Sequence, residues 1–539
     1  MTSLSPEILA RSRRVFEFHQ HSKWAERKVP ACASLPAPAP PKSTYNGFPR
    51  VPLPTRLLDL PVPGLRLLEH LSEAVPESMR NPPQDARTLA TWLYFAAGVT
   101  WPRKGHGVEV RACPSPGFVY SADVYVLAQG IEDVEPGFYH FSPSEFALRK
   151  LRSAPEALSA LKRGRPDLDF LKAVPCLLLV SSVFHRAAAR FDLRGYRAAC
   201  AEAGQLTENL NKVGSALGIR TLTRLRVGEG ASRELLGLPE QCDFGDFEAL
   251  QSLVVWAEPA QHELPAASNS GHLPTLNRER SSSVFVGDSI VAVHRDCVAP
   301  GIGVREIRAP LTNASPLPAS LPAVERAPAS EMPAGLTLSK VILKHTFAQQ
   351  FSRLASPRDI FLHLNRLSFR GGTYYPLAPD GAHVALVRPY WVIHDVVGID
   401  PGIWAYDPRT DRFAMLNRGQ YRLESAYVCC DDPRLADASA LCVLAVDLDH
   451  LLRHGGPDTY RLSLLECGIV AQRLYLGSAS AGLLARGMPA FFDDPLRQFL
   501  GIDDTGWEPL YVVALGAPPN ATTKHEAADS ATLELSFRD

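Results

Sequence analysis

Three short sequence patterns occur twice in this chain, in the same order and at nearly the same spacing. They are a Pro-Gly pair before large apolar residues, a Tyr-Arg pair followed by Glu and Gly, and a Leu-Gly pair forty residues past the Tyr. Corresponding positions lie 264 or 265 residues apart. Three patterns in order at a constant offset indicate that one folding unit has been duplicated and fused. The first copy comprises Pro136, Gly137, Tyr196, Arg197, Glu202, Gly204, Leu236 and Gly237, and the second comprises Pro401, Gly402, Tyr460, Arg461, Glu466, Gly468, Leu500 and Gly501.

The length and composition indicate a soluble globular protein with two or three domains. The chain has 539 residues, of which 46% are hydrophobic and 21% are charged. A net charge of −1 gives no electrostatic footprint for nucleic acid or an anionic membrane. No apolar run reaches the ~20 residues of a membrane-spanning helix, and the first 20 residues lack the apolar region of a secretory signal. The ten cysteines include no C-x-x-C pair, so we expect reduced thiols, a cytoplasmic location and no metal site.

Composition divides the chain into five parts. Residues 1–56 predict a helical arm followed by a Pro/Ala-rich tract, and 258–336 read as a linker rich in Pro, Ala and Ser. The two repeated units are 57–257 and 337–517, and 518–539 read as a tail. Each unit mixes helices with a few strands, which predicts an α+β fold class. A fused pair of units can form an active site between its halves.

Periodicity predicts a long helix after each Tyr-Arg pair and a buried strand before it. The helix patterns cover 87–98, 196–218 and 460–481, with a further helix beginning near 337. The strand patterns lie within 119–129, 176–181, 253–257, 384–397, 440–446 and 510–515, with a single strand at 283–287 inside the linker.

One turn before a predicted strand carries residues suited to ligand binding. Pro114, Pro116 and Gly117 fix a tight turn, and Ser115 lies between them. Such a turn can present backbone N–H groups and a hydroxyl to the edge of a ring rich in oxygen and nitrogen, with Arg111 supplying positive charge. The alternative is an ordinary loop. The sequence has no phosphate-binding P-loop, no G-x-G-x-x-G after a strand, no H-E-x-x-H and no G-x-S-x-G.

Taken in order, these patterns resemble the nitroreductase-like flavoprotein superfamily. The resemblance rests on a helix, R-x-x-P-S-x-G before a strand, the Pro-Gly pattern, Y-R-x-x-x-x-E-x-G on a long helix and the Leu-Gly pair. The most similar branch is the SagB/McbC-type dehydrogenases, whose members oxidise azolines to azoles in modified peptides. Residues 18–23 also look like the N-terminal helix of that branch. The resemblance is closer for 57–257 than for 337–517, and it implies two tandem domains that form an intrachain pseudo-dimer.

The resemblance implies a noncovalent FMN between the two halves. The first unit supplies the ring-facing loop, with Pro116 where the family usually has Gly, whereas the second unit has no such loop near 380–383. One competent site is therefore expected. The opposite site would pair Arg80 with the lost loop and would be degenerate. The competent site would join the first unit's Arg111, Pro114, Ser115, Pro116 and Gly117 to the second unit's Lys344, His345, Thr346, Gly487, Met488 and Pro489, and to Lys524 near the end of the chain.

The catalytic positions depart from the family pattern. Azoline dehydrogenases have a Lys-Tyr pair six residues before Tyr-Arg, where this chain has Arg190 and Phe191. Arginine stays protonated and is a poor base, and Phe has no hydroxyl. His454 holds the corresponding place in the second unit and could act as a base near pH 7, or it could be an ordinary surface residue. The candidate catalytic residues are therefore Arg190 and His454, and azole formation is less secure than flavin chemistry.

The two Tyr-Arg pairs admit two interpretations. Arg197 and Arg461 could contact the flavin or the opposite half of the chain. We expect instead that each arginine pairs with the Glu of its own motif, Glu202 or Glu466, inside one unit.

The sequence as a whole predicts an FMN-dependent dehydrogenase or oxidase. Its expected substrate is a peptide or carrier-bound heterocycle in natural-product maturation, with other enzymes of a biosynthetic complex and a second copy of the chain as possible partners. Two alternatives stay open: an NAD(P)H-dependent nitro- or enone reductase, and a flavin-free scaffold subunit. No nucleic-acid or membrane partner is expected.

Overall fold

Two antiparallel β-sheets and a set of helices make up the computed structural model of the chain. It describes residues 4–26, 45–69, 77, 80–102, 109–240, 243–262, 264–265, 273, 275–276, 287–298, 335–344, 350–370, 385–408 and 410–519. The helices are α1 Pro6–His21, α2 Gly64–Glu69, α3 Ala86–Ala97, α4 Ala154–Lys162, α5 Phe184–Phe191, α6 Gly195–Ala216, α7 Glu229–Leu236, α8 Gly287–Val298, α9 Leu338–Lys344, α10 Arg358–Arg370, α11 Arg422–Val428, α12 Leu448–Gly455, α13 Asp458–Ser480 and α14 Asp493–Leu500.

The strands divide between a seven-stranded N-terminal sheet, a six-stranded C-terminal sheet and a small hairpin. The N-terminal sheet contains β1 Arg50–Pro52, β4 Ala122–Ala128, β5 Gly137–Ser142, β6 Ala147–Arg152, β7 Cys176–Val183, β8 Thr221–Arg224 and β9 Glu248–Trp256; β2 Val99–Pro102 pairs with β3 Glu109–Arg111 in the hairpin. The C-terminal sheet contains β10 Arg388–Ile393, β11 Gly402–Asp407, β12 Arg412–Arg418, β13 Ala440–Asp447, β14 Leu484–Met488 and β15 Trp507–Gly516.

The two sheets have the same strand order. Across the N-terminal sheet the order is β1-β6-β5-β4-β7-β9-β8, and across the C-terminal sheet it is β12-β11-β10-β13-β15-β14. Apart from the extra edge strand β1, each N-terminal strand therefore has a counterpart at the same place in the other sheet. Each sheet is antiparallel throughout.

Strand β7 shows why the central strands read as continuous apolar runs. Side chains alternate between the two faces of a strand, and both faces of β7 are covered. Leu177 and Leu179 belong to a core that includes α4 and α7 residues. Leu178 and Val180 belong to the large core that includes α6 and α13 residues from both halves. A strand that is buried on both faces needs apolar residues at every position.

Helices α6 and α13 pack against each other at the centre of the molecule. All residues of α6, Gly195–Ala216, are buried. The helices approach closely at Gly204 and Gly468. A Cβ atom at Gly204 would lie 2.0 Å from the carbonyl oxygen of Leu465, and one at Gly468 would lie 1.8 Å from that of Ala201. The Gly of the repeated motif is therefore required by a backbone-to-backbone crossing between the halves.

The other repeated patterns also have local physical reasons. Gly137 and Gly402 begin the matching strands β5 and β11. Gly237 and Gly501 end α7 and α14 in the left-handed conformation, with φ of 64° and 69°. Glycine adopts that conformation without steric cost, so it commonly terminates a helix.

Most of the predicted helices and strands are present with boundaries close to those expected. The linker interpretation is incomplete, because Gly287–Val298 forms α8 within 258–336. The strand expected at 283–287 is not supported at its last residue, since Gly287 begins that helix, and 283–286 lie outside the described residues. Within the described part of the chain, no helix combines the length and apolar character needed to cross a bilayer.

Candidate functional site

The predicted ligand-binding turn joins β3 to β4 in the first half. Its backbone is strained, because the non-glycine residues Phe118 and Tyr120 have positive φ, at 56° and 48°. Gly117, at 70°, adopts such a φ without steric cost. Ser115 is buried, and its hydroxyl accepts a hydrogen bond from the Tyr120 amide at 2.8 Å. Non-glycine residues seldom keep positive φ unless surrounding contacts hold them there, and such positions concentrate at functional sites.

Glu202 supplies those contacts from α6. Its carboxylate accepts hydrogen bonds from the hydroxyls of Ser115 and Ser121, both at 2.9 Å, and from the Ala122 amide at 3.3 Å. Burial raises the pKa of Glu202, and the hydrogen bonds from Ser121, Ser115 and Ala122 oppose this shift. The Glu of the repeated motif therefore fixes the turn onto the central helix.

Arg111 is held at the base of the turn. Its guanidinium lies 4.8 Å from the ring centroid of Tyr120 and 3.7 Å from Asp123. Asp123 also accepts both Nη groups of the buried Arg186, at 3.0 and 2.9 Å. Burial opposes ionisation of Asp123, but Arg186 and His140 outweigh it and hold the pKa of that carboxyl well below its usual range. Two cations thus share one carboxylate here.

A small cleft of about 20 Å³, room for roughly one water molecule, lies beside this charge cluster. Arg111, Tyr120, Asp123 and Glu202 line its polar side, and Pro114 adjoins them. The apolar side comes from residues on α3, β5 and α6: Ala97, Phe141 and Leu206. The cleft is therefore amphipathic and adjoins the strained turn.

Arg190 lies against the same turn. Its Nε is 3.7 Å from the position that a Cβ atom would take at Gly117. Phe191, the next residue, is buried with its ring 6.3 Å from that of Trp24 in the segment after α1. The structure thus brings the first candidate catalytic residue to the predicted cofactor-binding turn.

Gly487, Met488 and Pro489 are buried at the end of β14 in the second half. The Gly487 amide donates a hydrogen bond to the hydroxyl of Tyr475 on α13. A Cβ atom at Gly487 would lie 2.6 Å from the Tyr511 hydroxyl and 2.9 Å from that of Tyr475, so no larger residue fits. Burial raises the pKa of Tyr475, the Gly487 amide and Arg486 oppose the shift, and Cys113 of the first half adds to it. Tyr475 therefore fixes the Gly487 segment onto α13.

Two arginines of the first half also bind the segment from Pro489 to Asp493. Arg194 donates to the Pro489 carbonyl and to the Asp493 carboxylate. Arg197 donates to Asp493 at 2.8 Å and to the Pro509 carbonyl at 2.8 Å. The expected pairing of Arg197 with Glu202 is wrong: Arg197 crosses to the opposite half, while Glu202 holds the turn.

The second Tyr-Arg pair behaves in the same way. Arg461 donates to Asp458 at 2.8 Å on its own helix and to the carbonyl of Leu225 at 2.8 Å in the first half. Glu466 instead accepts the Leu386 amide at 2.8 Å. The expected pairing of Arg461 with Glu466 is therefore also wrong, because each arginine reaches across the interface between the halves.

The remaining candidate residues are less closely grouped. Lys344 is exposed at the end of α9, which packs against β2 and α13. Arg80 is exposed, with its amide bonded to the Glu77 carbonyl. His454 is exposed at the end of α12, where Nδ1 lies 2.8 Å from the carbonyl oxygen of His450, which fits the surface interpretation. His345, Thr346 and Lys524 lie outside the described residues.

Sequence reasoning missed three residues that shape this region: Tyr475, Asp493 and Trp24. Asp493 begins α14 directly after two phenylalanines, and Trp24 follows the N-terminal helix. An acidic residue at the start of a helix is a usual N-terminal signal. That signal could have marked Asp493, but nothing local could indicate that its partners lie about 300 residues earlier in the chain.

Comparison with known proteins identifies the class of this fold. A crystal structure of an Anabaena variabilis protein, provisionally assigned as a nitroreductase, aligns over 94% of this chain and 99% of that chain, with a TM-score of 0.68 and 19% identity. Nearly the whole chain therefore has a nitroreductase-like fold.

A family relationship is visible in part of the sequence. Residues 377–517 match the model of the nitroreductase family, so this part of the chain is similar to that family. MJ1384 of Methanocaldococcus jannaschii, also provisionally named a nitroreductase, is 26% identical over 162 residues, which cover 29% of this chain and 77% of that protein. The family match falls in the second unit, although the resemblance was expected to be closer in the first.

Proposed function

We propose that this protein is an FMN-dependent oxidoreductase with one flavin site, formed between the two halves of a tandem pseudo-dimer. The observation that carries the proposal is the stretch from Arg190 to Arg194. Arg190 lies against Gly117 in the turn of the first half, and Arg194 donates to the Pro489 carbonyl of the second half. Two segments that the family resemblance assigns to flavin binding thus approach each other in a chain with a nitroreductase-like fold.

The tandem arrangement, with domains at 57–257 and 337–517, is supported by symmetry within the chain. The sheets share one strand order. The paired glycines cross each other's backbones, and the rings of Tyr196 and Tyr460 stack with centroids 6.2 Å apart. Residues at the same position of the repeat thus meet across one axis, as in an isologous dimer.

The residues present fit a flavin. Within the described residues, Arg111 Nε is buried and has no hydrogen-bond partner, so it can donate to a ligand oxygen. The turn at Pro116 and Gly117 offers backbone groups beside the apolar residues that line the adjoining small cleft. Lys344 is exposed on a helix packed against the hairpin that carries Arg111, so it can reach a phosphate at the solvent side. Lysine is a common phosphate ligand.

The proposal of a single site rests on the difference between Glu202 and Glu466. Glu202 is bonded to two serine hydroxyls that fix the turn of the first half. Glu466 accepts a backbone amide from Leu386 instead, and burial raises its pKa to about 8. Among the described residues, Glu466 has no serine partner and so does not reproduce the anchored turn, and we assign the side that contains Arg80 as degenerate.

The substrate class we propose is a peptide- or carrier-bound heterocycle such as an azoline. Bound FMN would supply a hydride acceptor. Arg190, beside Gly117, would orient a substrate oxygen through its guanidinium rather than remove a proton. Trp24 and the buried Phe191 would form an apolar wall that excludes water. Other enzymes of a biosynthetic complex would deliver the substrate.

The first experiment is the visible absorption spectrum of the purified protein, with flavin quantified per chain after heat release. One FMN per chain supports the single site. Two per chain would show that the Arg80 side is active. Ser115→Ala and Lys344→Ala should each weaken FMN binding at least tenfold, with Arg453→Ala on the exposed face of α12 as the control. Unchanged flavin content in both variants would overturn the site assignment.

A scaffold function is the second candidate, and one observation favours it. Arg190 and Phe191 occupy the place of the family's Lys-Tyr pair, so this chain lacks the expected base. A protein that takes up no flavin even after incubation with FMN would support the scaffold. A flavoprotein that oxidises NAD(P)H would instead be a reductase on the same fold.

A further inference from the structure

Asp493 is the point at which three separate parts of the chain meet. It is fully buried. Its carboxylate accepts hydrogen bonds from Arg194 and Arg197 of the first half and from the Trp24 amide at 2.8 Å. Its own amide donates to the Trp24 carbonyl at 3.1 Å. The N-terminal arm, the first half and the second half are therefore joined at one side chain.

Arg194 transmits this arrangement to the Gly487 segment. Besides Asp493 it bonds the Pro489 carbonyl, and its guanidinium lies between two rings, 4.1 Å from Phe491 and 5.3 Å from Trp24. A buried guanidinium has few orientations available when it is bonded to a carboxylate and flanked by rings. Asp493 thus fixes Arg194, and Arg194 fixes the backbone at Pro489.

The equivalent positions on the opposite side of the molecule carry different charges. The position equivalent to Arg194, 264 residues later, is Asp458. Asp458 is bonded to Arg461 at 2.8 Å on its own helix and to Arg226 at 3.0 Å. The position equivalent to Asp493 is Glu229, whose side chain is 29% exposed and pairs with the partly exposed Arg295. Glu229 begins α7 as Asp493 begins α14, but it pairs with Arg295 rather than with Arg461, the equivalent of Arg197.

We propose that Asp493 is a positioning residue for the flavin site: through Arg194 it holds residues 487–493 in the conformation that binds the ring. This inference rests on the proposed function and extends it, because it makes the site depend on the N-terminal arm. It also gives a physical reason for a single site, since the contacts from Asp493 through Arg194 to Pro489 are not repeated at the equivalent described positions. The anchored turn and the segment at Pro489 lie on the same side, because Arg190 contacts the turn at Gly117 and Arg194, four residues later, holds Pro489.

The test compares Asp493→Asn with Asp458→Asn, two buried carboxylates that each pair with two arginines. Hydrogen exchange is measured on the flavin-free protein, at the amides between Gly487 and Phe492, together with FMN affinity and the absorption maxima of the bound flavin. Asp493→Asn should speed exchange of these amides at least tenfold, weaken FMN binding at least tenfold and shift the absorption maxima. Asp458→Asn should leave these three readouts as in the wild type, whatever its effect on melting temperature.

Arg194→Lys and Trp24→Ala provide the same test if Asp493→Asn does not fold. Arg194→Lys keeps the charge but loses the fork that joins Pro489 to Asp493, so it should show the same faster exchange. Wild-type exchange rates in these variants, or equal effects of the Asp493 and Asp458 substitutions, would overturn the inference. A wild type that binds no FMN would defeat the proposed function, and the exchange rates alone would then decide whether Asp493 holds the segment.

Discussion

Gly204 of α6 and Gly468 of α13 each lie against the backbone of the opposite helix. The gap at each is too small for a methyl group: a Cβ atom would lie 2.0 Å from the Leu465 oxygen at the first and 1.8 Å from the Ala201 oxygen at the second. The two contacts are reciprocal, because Leu465 and Ala201 are themselves equivalent positions of the repeat. The closest approach of the halves therefore lies at a motif that the sequence contains twice.

Alanine at either crossing glycine should destabilise the protein. Overpacking a tight contact costs about 1–3 kcal/mol, which exceeds the gain of about 1 kcal/mol from the better helix propensity of Ala. We therefore expect lower free energies of unfolding for Gly204→Ala and Gly468→Ala in urea titrations. Gly230 of α7 is the matched control, because nothing lies within 4 Å of its Cβ position. If Gly230→Ala and Gly204→Ala behave alike, the crossing does not limit the packing.

Loss of the Glu202 carboxylate should release the strained turn. A Gln amide cannot accept at both positions used by the Ser115 and Ala122 groups, and a buried unsatisfied group costs about 1–3 kcal/mol. Glu202→Gln should therefore lower stability by about 2 kcal/mol and reduce the flavin retained per chain. Ser121→Ala removes one donor and should have a smaller effect in the same direction. Equal flavin content in wild type and Glu202→Gln would contradict an anchoring role.

Glu466 should make stability depend on pH. Burial raises its pKa to about 8 from the ordinary 4.5, while the Leu386 amide opposes the shift. Between these values the folded state keeps a proton that the unfolded state has released, so the free energy of unfolding should fall as pH rises from about 4.5 to about 8. Urea midpoints at several pH values measure this slope. Glu466→Gln should flatten it, and an unchanged slope would assign the dependence to other groups.

The buried pair of Glu208 and Arg473 should be strongly coupled across the helix interface. Arg473 Nε donates to Glu208 at 2.7 Å, and both side chains are buried. Lys212 also pairs with Glu208, at 3.5 Å, so loss of Arg473 should cost less than a wholly unpaired buried charge, which costs about 3–5 kcal/mol. A double-mutant cycle of Arg473→Met and Glu208→Leu should still give a coupling free energy clearly above that of an exposed pair. The exposed Arg453–Asp449 pair on α12 is the control and should contribute under about 1 kcal/mol. Additive effects at Glu208 and Arg473 would argue against coupling.

The sequence is informative wherever a residue's role depends on its own neighbours in the chain. The Leu-Gly pairs end helices because Gly237 and Gly501 can adopt positive φ, and that requirement is local. The apolar run of β7 and the long periodic helices are likewise visible in the sequence. Helix α8 was missed because the Pro- and Ser-rich composition around it obscured a twelve-residue helix.

The partners of the buried charges Arg197 and Glu202 were predicted wrongly, because those partners lie far away in the sequence. Arg197 and Glu202 are close in sequence on one helix, so pairing within the helix was the simplest local choice. Burial changed the choice, because a buried charge needs the best available partner from any part of the chain. Asp493 and the Pro509 carbonyl provide that partner for Arg197, and Ser115 and Ser121 provide it for Glu202.

The amino-acid sequence by itself therefore predicted the mixed helix-and-strand class and the two central helices, and it contains the repeated motifs that indicate a duplication. Periodicity, capping and repeated spacing record these features directly. Tertiary structure alone decided which side of the interface has a turn bonded to Glu202 and a segment, 487–493, held by Arg194. That outcome depends on contacts between residues hundreds of positions apart, such as Trp24, Arg194 and Asp493, and desolvation selects those contacts only after the halves have packed together.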